Sequence, residues 1–153
     1  MEKIEKGSQW RKWDLHFHTP SSYDYGDKSV TNQEIIDTLF ANDISVVAIT
    51  DHHVMDVERI TELQSLGQAK GITVLPGIEF LSDSRGRAPI HFIGIFSEDC
   101  NLTHIWGQIE NKTNISKIKG EGANINEVYC NLETTIELIK ELGGLTSIHA
   151  GEK

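Results

Sequence analysis

Residues 44–50, Ile-Ser-Val-Val-Ala-Ile-Thr, form an almost unbroken β-branched run between two segments of helical periodicity. A strand with no polar alternation has no face for water. Such strands lie inside sheets covered on both sides, the situation of α/β proteins. On the N-terminal side, "TNQEIIDTLFAND" reads as a helix. Thr31 and Glu34 have capping-box spacing, and Ile35, Ile36, Leu39 and Phe40 make an apolar stripe. On the C-terminal side, "DVERITELQSLGQAKG" places Val57, Ile60, Leu63 and Leu66 on one face and Gly71 at its stop.

The same alternation continues along the chain. "WDLHFH" (13–18) alternates strictly, with Asp14, His16 and His18 on one face and Leu15 and Phe17 on the other. "ITVLPGIEF" (72–80) and "APIHFIGIF" (88–96) are two strands joined by the polar loop "LSDSRGR". "LTHIWGQIEN" is expected to be helical, and "KTNISKIKGEGANIN" to be loop. "NLETTIELIKELGG" is a helix capped by Asn131 and ended at Gly143, and "LTSIHA" (145–150) is a fifth strand. The expected fold is a single α/β domain over residues 1–153, with a parallel sheet or barrel.

The 153 residues suffice for one domain with a real core, and 38% hydrophobic with 24% charged residues is ordinary globular composition. No apolar run approaches the roughly 18–20 residues of a membrane span. "MEKIEKGSQWRKWD" lacks the apolar centre of a signal peptide, so a cytoplasmic, membrane-free protein is expected. Cys100 and Cys130 form no C-x-x-C, which fits a reducing compartment without a disulfide. A net charge of −9 argues against a broad basic surface for nucleic acid. It leaves a phosphate substrate open if cations are bound first.

The chemistry falls at strand ends. His16 and His18 close the first strand, Asp51 and His52 follow the second, Glu79 lies near the end of the third, His91 lies in the fourth, and His149 closes the fifth. In α/β folds the carboxyl ends of the strands carry the active site. Any one of these histidines is more often a hydrogen-bonded core residue, and His53 and His104 are assigned to that class. The constellation is different. An H-x-H strand puts two imidazoles on one face about 6–7 Å apart. Burying several imidazoles with an aspartate and a glutamate costs several kcal/mol unless cations are bound. Zinc and manganese suit mixed imidazole and carboxylate donors.

In order, "DLHFHT", "AITDHH", "LPGIEF", "IHFIGIF" and "SIHA" resemble the PHP (polymerase and histidinol phosphatase) family from Trp13 to His149. The resemblance implies a distorted (β/α)7 barrel, here truncated to about five strands. It also implies two or three divalent metal ions (Zn, Mn or Fe) and hydrolysis of phosphate mono- or diesters. His16 and His18 would hold one metal, Asp24 a third, and His52 the "TDH" position. Glu79 would bridge two metals, and His91 and His149 would hold the second. Asp14 would orient the first histidine pair by a bond to an imidazole N–H. Asp51 would help manage the leaving-group proton, with Glu79 joining the two metals that activate water. The stretch "WRKWDLHFHTPSSYDYGD" is similar to large bacterial proteins in which such a domain precedes an SMC- or AAA-like ATPase. Some of those are linked to anti-phage defence.

One departure stands out. The family's last Asp-x-His has no counterpart, because only Ala150, Gly151, Glu152 and Lys153 follow His149. The chain is therefore expected to be a fragment lacking part of the barrel, weakly active or inactive as it stands. Arg85 and Arg87, in the loop after the third strand, are candidate substrate-phosphate ligands for a nucleotide, nucleic acid or small phosphoester. An inactive regulatory module attached to an ATPase is the alternative, but no ligand is lost within the region covered. An amidohydrolase is a third reading. It is disfavoured because such enzymes bridge metals with a strand lysine, and the five expected strands carry none.

Overall fold

The computed structural model describes residues 10–83, 89–119 and 128–148. Its elements are β1 (Lys12–Phe17), α1 (Asn32–Ala41), β2 (Ile44–Ile49), α2 (Val57–Lys70), β3 (Thr73–Ser82), β4 (His91–Ile95), α3 (Leu102–Lys112), a 3₁₀ turn (Asn114–Lys119), β5 (Tyr129–Cys130), α4 (Leu132–Glu141) and β6 (Leu145–Ile148). The strands form one curled sheet in the order β1-β2-β3-β4-β6, with β5 paired to β3. This is a half-barrel. Among the described residues, β1 and β6 form its two ends. A cleft of about 240 Å³ opens where Trp13 and Leu15 of β1 approach Ile93 and Ile148.

The helices form where the sequence provides caps. In α1 the Thr31 side chain accepts the Glu34 N–H, and the Glu34 carboxylate takes the Thr31 N–H, completing the capping box. Asp56 caps α2, and Gly71 ends it in the left-handed conformation at φ 73°. Asn101 and Asn131 cap α3 and α4. The stripe of α1 is buried at Ile35, Ile36 and Leu39. Phe40 is 55% exposed, contrary to the expected stripe, and the Lys70 ammonium sits 5.2 Å from its ring centroid. A helix face wide enough to bury Leu39 turns the next residue toward solvent, where a cation covers it.

The expectation of a parallel sheet holds only for β1, β2 and β3. β4 runs antiparallel to β3, with Leu81 opposite His91 and Gly77 opposite Ile95, and β6 runs antiparallel to β4. The polar loop after β3 is thus a hairpin connection rather than a crossover. The two-residue strand β5, absent from the sequence reading, pairs with the end of β3. Strand β3 changes partners midway. Thr73–Pro76 pair with β2, and from Gly77 onward the strand pairs with β4. A Cβ on Gly77 would lie 2.8 Å from the Gly94 carbonyl and 2.9 Å from that of Ile49, so three backbones converge there.

The core lies between the sheet and its helices, with Phe80 and Phe92 stacked at a 5.1 Å centroid distance. Both cysteines are free thiols, Cys130 buried and Cys100 half-buried. Among the described residues no helix is long and apolar enough to cross a membrane.

Candidate metal centre

Backbone bonds gather the donors before any side chain is considered. The segment after β2 is held between its neighbours: Thr50 N–H donates to the Phe17 carbonyl at 2.8 Å, Glu79 N–H to Asp51 at 3.0 Å, and His53 N–H to Glu79 at 2.9 Å. His52 therefore continues the β2–β3 pairing as an isolated bridge to Glu79. Because β4 is antiparallel, its first residue, His91, falls at the edge where β1, β2 and β3 end. A histidine at the start of β4 thus joins groups at the ends of the other strands.

At this edge Glu79 is fully buried and surrounded by imidazoles. One carboxylate oxygen lies 2.8 Å from His16 Nε2, 2.9 Å from His18 Nε2 and 3.5 Å from His52 Nε2, and the other lies 2.5 Å from His91 Nδ1. Burial pushes the Glu79 carboxyl upward. The surrounding imidazoles overcome that and hold it far below the usual carboxylate range. Burial likewise pulls His18 down, but Glu79, Asp24 and Asp51 raise its pKa above the ordinary imidazole value. Asp24 Oδ2 stands 3.4 Å from His52 Nε2. Its carboxyl, raised by burial, is brought below the ordinary value by the Ser22 hydroxyl and by His52 and His18.

Three overlapping donor groups result: His16, His18 and Glu79; His18, Asp24 and His52; and His52, Glu79 and His91. Within each, the ligand atoms lie within 4.8 Å of one another. Four imidazoles and two carboxylates, clustered on a buried glutamate, are the donor chemistry of a divalent cation. Without a cation the cluster holds together only if imidazoles carry protons. The residues present therefore fit the expected metal. A second hollow, about 570 Å³, lies by Gln64, Gln68, Thr73 and Asp99 at the opposite edge of the sheet and holds none of these donors.

The structure thus brings together His16, His18, Asp24, His52, Glu79 and His91. His149, Arg85 and Arg87 lie outside the described residues. Asp14 acts on the main chain, accepting the His16 N–H at 3.2 Å. Asp51 is buried, and its two carboxylate oxygens accept the Thr19 N–H at 2.5 Å and the Thr19 hydroxyl at 2.7 Å. Burial raises its pKa to about 6, against the lowering effect of those bonds. His104 lies on α3 away from these donors, but it is exposed rather than a core residue as expected.

The sequence reading passed over Thr19, Ser22 and Tyr23, and took His53 for a hydrogen-bonded core residue. Thr19 engages Asp51, and Ser22 is fully buried among the donors. The Tyr23 ring stacks on His53, 6° from parallel at 6.2 Å, and lies 5.1 Å from His52. His53 adopts φ 57° and is buried with neither ring nitrogen hydrogen-bonded. Burial, then the nearby His52, lower its pKa to about 4, so its ring is neutral. Proximity to the H-x-H pair was the one available signal for Thr19, Ser22 and Tyr23.

No protein-family model and no curated protein matches the sequence. Solved structures do match the fold. An amidohydrolase from Chromobacterium violaceum, with bound sulfate and no metal, aligns with TM-score 0.62 at 19% identity over 92% of this chain and 68% of its own. A candidate metal-dependent phosphoesterase from Bifidobacterium adolescentis aligns with TM-score 0.62 at 14% identity over 94% and 68%. A two-domain protein from Bacteroides vulgatus, containing a predicted PHP-like metal-dependent phosphoesterase, aligns with TM-score 0.50 at 17% identity over 92% and 39%. The chain shares the fold of these structures.

Proposed function

We propose that the chain is a metal-dependent hydrolase of phosphate esters. The observation that carries this reading is the buried Glu79 carboxylate, met by four imidazoles, with Asp24 beside them. A phosphate approaching the bare edge would meet the charges of Glu79, Asp24 and Asp51. A cation reverses that field. When bound, a divalent ion supplies Lewis acidity toward a phosphate oxygen and acidifies water.

The chain's own residues do the rest. Glu79 belongs to two donor groups and ties them together through one side chain. His16, His18 and His91 are each about one-quarter exposed, so they bound the open side of the site, while His52 closes its floor. Tyr23 walls the side next to His52. Asp51 acts through Thr19: by gripping its N–H and hydroxyl it fixes the turn that carries His18. Arg59 braces the same loop, donating to Ser21 Oγ at 2.7 Å, while Ser21 donates to Asp56 at 2.6 Å. Zinc, manganese or iron as the ion, two or three ions per site, and phosphate held by Arg85 and Arg87 complete the proposal. Two of the structural neighbours carry a phosphoesterase description and one an amidohydrolase description, which supports hydrolysis, with the phosphate ester as the proposed substrate.

The test is metal content by mass spectrometry on protein purified without chelator or nickel. One or more equivalents of zinc, manganese or iron are expected, and they should fall to background in Glu79→Gln/His91→Ala. Phosphodiesterase and phosphomonoesterase assays on metal-loaded protein then separate the ester classes. Wild-type protein that binds no divalent metal overturns the reading.

A further inference from the structure

We propose that Ser22 is a positioning residue that sets all three donors of the His18–Asp24–His52 group through a single hydroxyl. The inference rests on the metal reading above and adds a residue to it that is not itself a ligand. Ser22 is fully buried, and three groups converge on its oxygen. It donates to Asp24 Oδ1 at 2.6 Å, His52 N–H reaches it at 3.2 Å, and His18 Nδ1 lies 3.1 Å away.

A serine hydroxyl has one hydrogen and two lone pairs. An ionised aspartate only accepts, and its short charge-assisted bond takes the one hydrogen. A backbone N–H only donates, so His52 occupies one lone pair. The second lone pair is left for His18 Nδ1, which must therefore carry a hydrogen. His18 carries a hydrogen on Nδ1, which leaves Nε2, 2.9 Å from Glu79 and 3.1 Å from His16 Nε2, as the nitrogen that would meet a cation. Asp24 is set by the same bond: its Oδ1 is engaged, and its Oδ2 is the oxygen turned to His52 Nε2 at 3.4 Å. The backbone from which His52 projects is the third group held. One side chain thus fixes a ring hydrogen, a carboxylate rotation and a main-chain position.

The test combines a measurement of the ring hydrogens with metal binding. In metal-free wild-type protein labelled with ¹⁵N-histidine, long-range ¹H–¹⁵N spectra report which His18 nitrogens hold a hydrogen. The signals are assigned by their loss in His18→Gln. A hydrogen on Nδ1 is expected, and a bare Nδ1 in wild type overturns the proposal. Zinc binding by calorimetry should weaken by about 10–100-fold in Ser22→Ala, as for loss of a partner that orients a ligand, and recover in Ser22→Thr, which keeps the hydroxyl. Unchanged affinity in a folded Ser22→Ala also overturns it. Should either variant fail to fold, the Nδ1 hydrogen in wild type decides. Wild-type protein that binds no zinc removes the metal reading, while the Nδ1 hydrogen still reports on Ser22.

Discussion

Asp51 and Glu79 are both buried carboxylates, yet their surroundings drive them in opposite directions. Glu79 has four imidazoles around it and stays ionised. Asp51 has two hydrogen bonds from Thr19, and burial raises it to about 6. For Asp51 the folded pKa lies above the unfolded value of about 3.9. The folded state therefore holds the extra proton between about pH 4 and 6, and stability falls as pH rises through that window. At pH 7 the ionised carboxylate should cost about 3 kcal/mol relative to acid. Asp51→Asn, whose carboxamide can still accept the Thr19 N–H while the hydroxyl reverses its role, should flatten the slope. Urea unfolding at pH 4.5 and pH 7 in both proteins measures this, and an equal slope in the variant would refute the assignment.

At the scale of elements, β3 connects the scaffold to the site. Its first half belongs to the parallel part of the sheet and its second half to the antiparallel part, with Gly77 at the change. Gly77→Ala forces a methyl against two backbone carbonyls that cannot swing aside. Overpacking of this kind costs about 1–3 kcal/mol. Because Glu79 lies two residues further on, zinc affinity should fall together with the melting temperature. Gly71→Ala offers the contrast. Its strain, from φ 73° at the end of α2, is of order 1 kcal/mol, and open space surrounds it far from the donors. Stability should drop while zinc affinity is kept. Calorimetry on the two variants separates damage that reaches the site from damage that does not.

For the whole molecule, the donor cluster sets how stability responds to pH and metal. The lowered Glu79 pKa contributes stability above about pH 4.3, lost only as pH falls through the depressed folded value. The raised His18 pKa contributes stability below about pH 6.5, lost as pH rises through its folded value. Asp51 also weakens the fold as pH rises. His53, with its pKa lowered to about 4, opposes this by adding stability up to about pH 6.5, so the melting temperature of metal-free protein should decline from about pH 6.5 to pH 8. Zinc requires neutral imidazoles, so the stabilisation it brings should grow over the same interval. Thermal melts with and without zinc at pH 6.5, 7 and 8 check both signs. A zinc increment independent of pH would argue that the imidazoles are not its ligands.

Local rules in the sequence account for most of the helical frame. Thr31 and Asn131 were readable as helix starts because capping depends on neighbours within three residues. Gly71 was readable as a stop, since a left-handed terminus is a property of one residue. The donors His16, His18, His52, Glu79 and His91 were recognisable as a group because imidazoles and carboxylates recur at successive strand ends, while Asp24, in the turn after β1, came from the resemblance to the PHP family. The direction of β4 was not readable. A short apolar run carries no sign of which neighbour it pairs with, and the hairpin is decided by the ladder from Gly77 to Leu81. Nor was the outward turn of Phe40, which depends on how much of the helix α1 the sheet can cover. Ser22 and Thr19 looked like ordinary loop residues. Their meaning comes from partners about 30 positions away, Asp51 and His52, which only the closed sheet brings within hydrogen-bond reach. Sequence alone determined which groups are available and which elements carry them. Tertiary structure decided their orientation, protonation and shared partners, because those depend on distances between strands that no local pattern encodes.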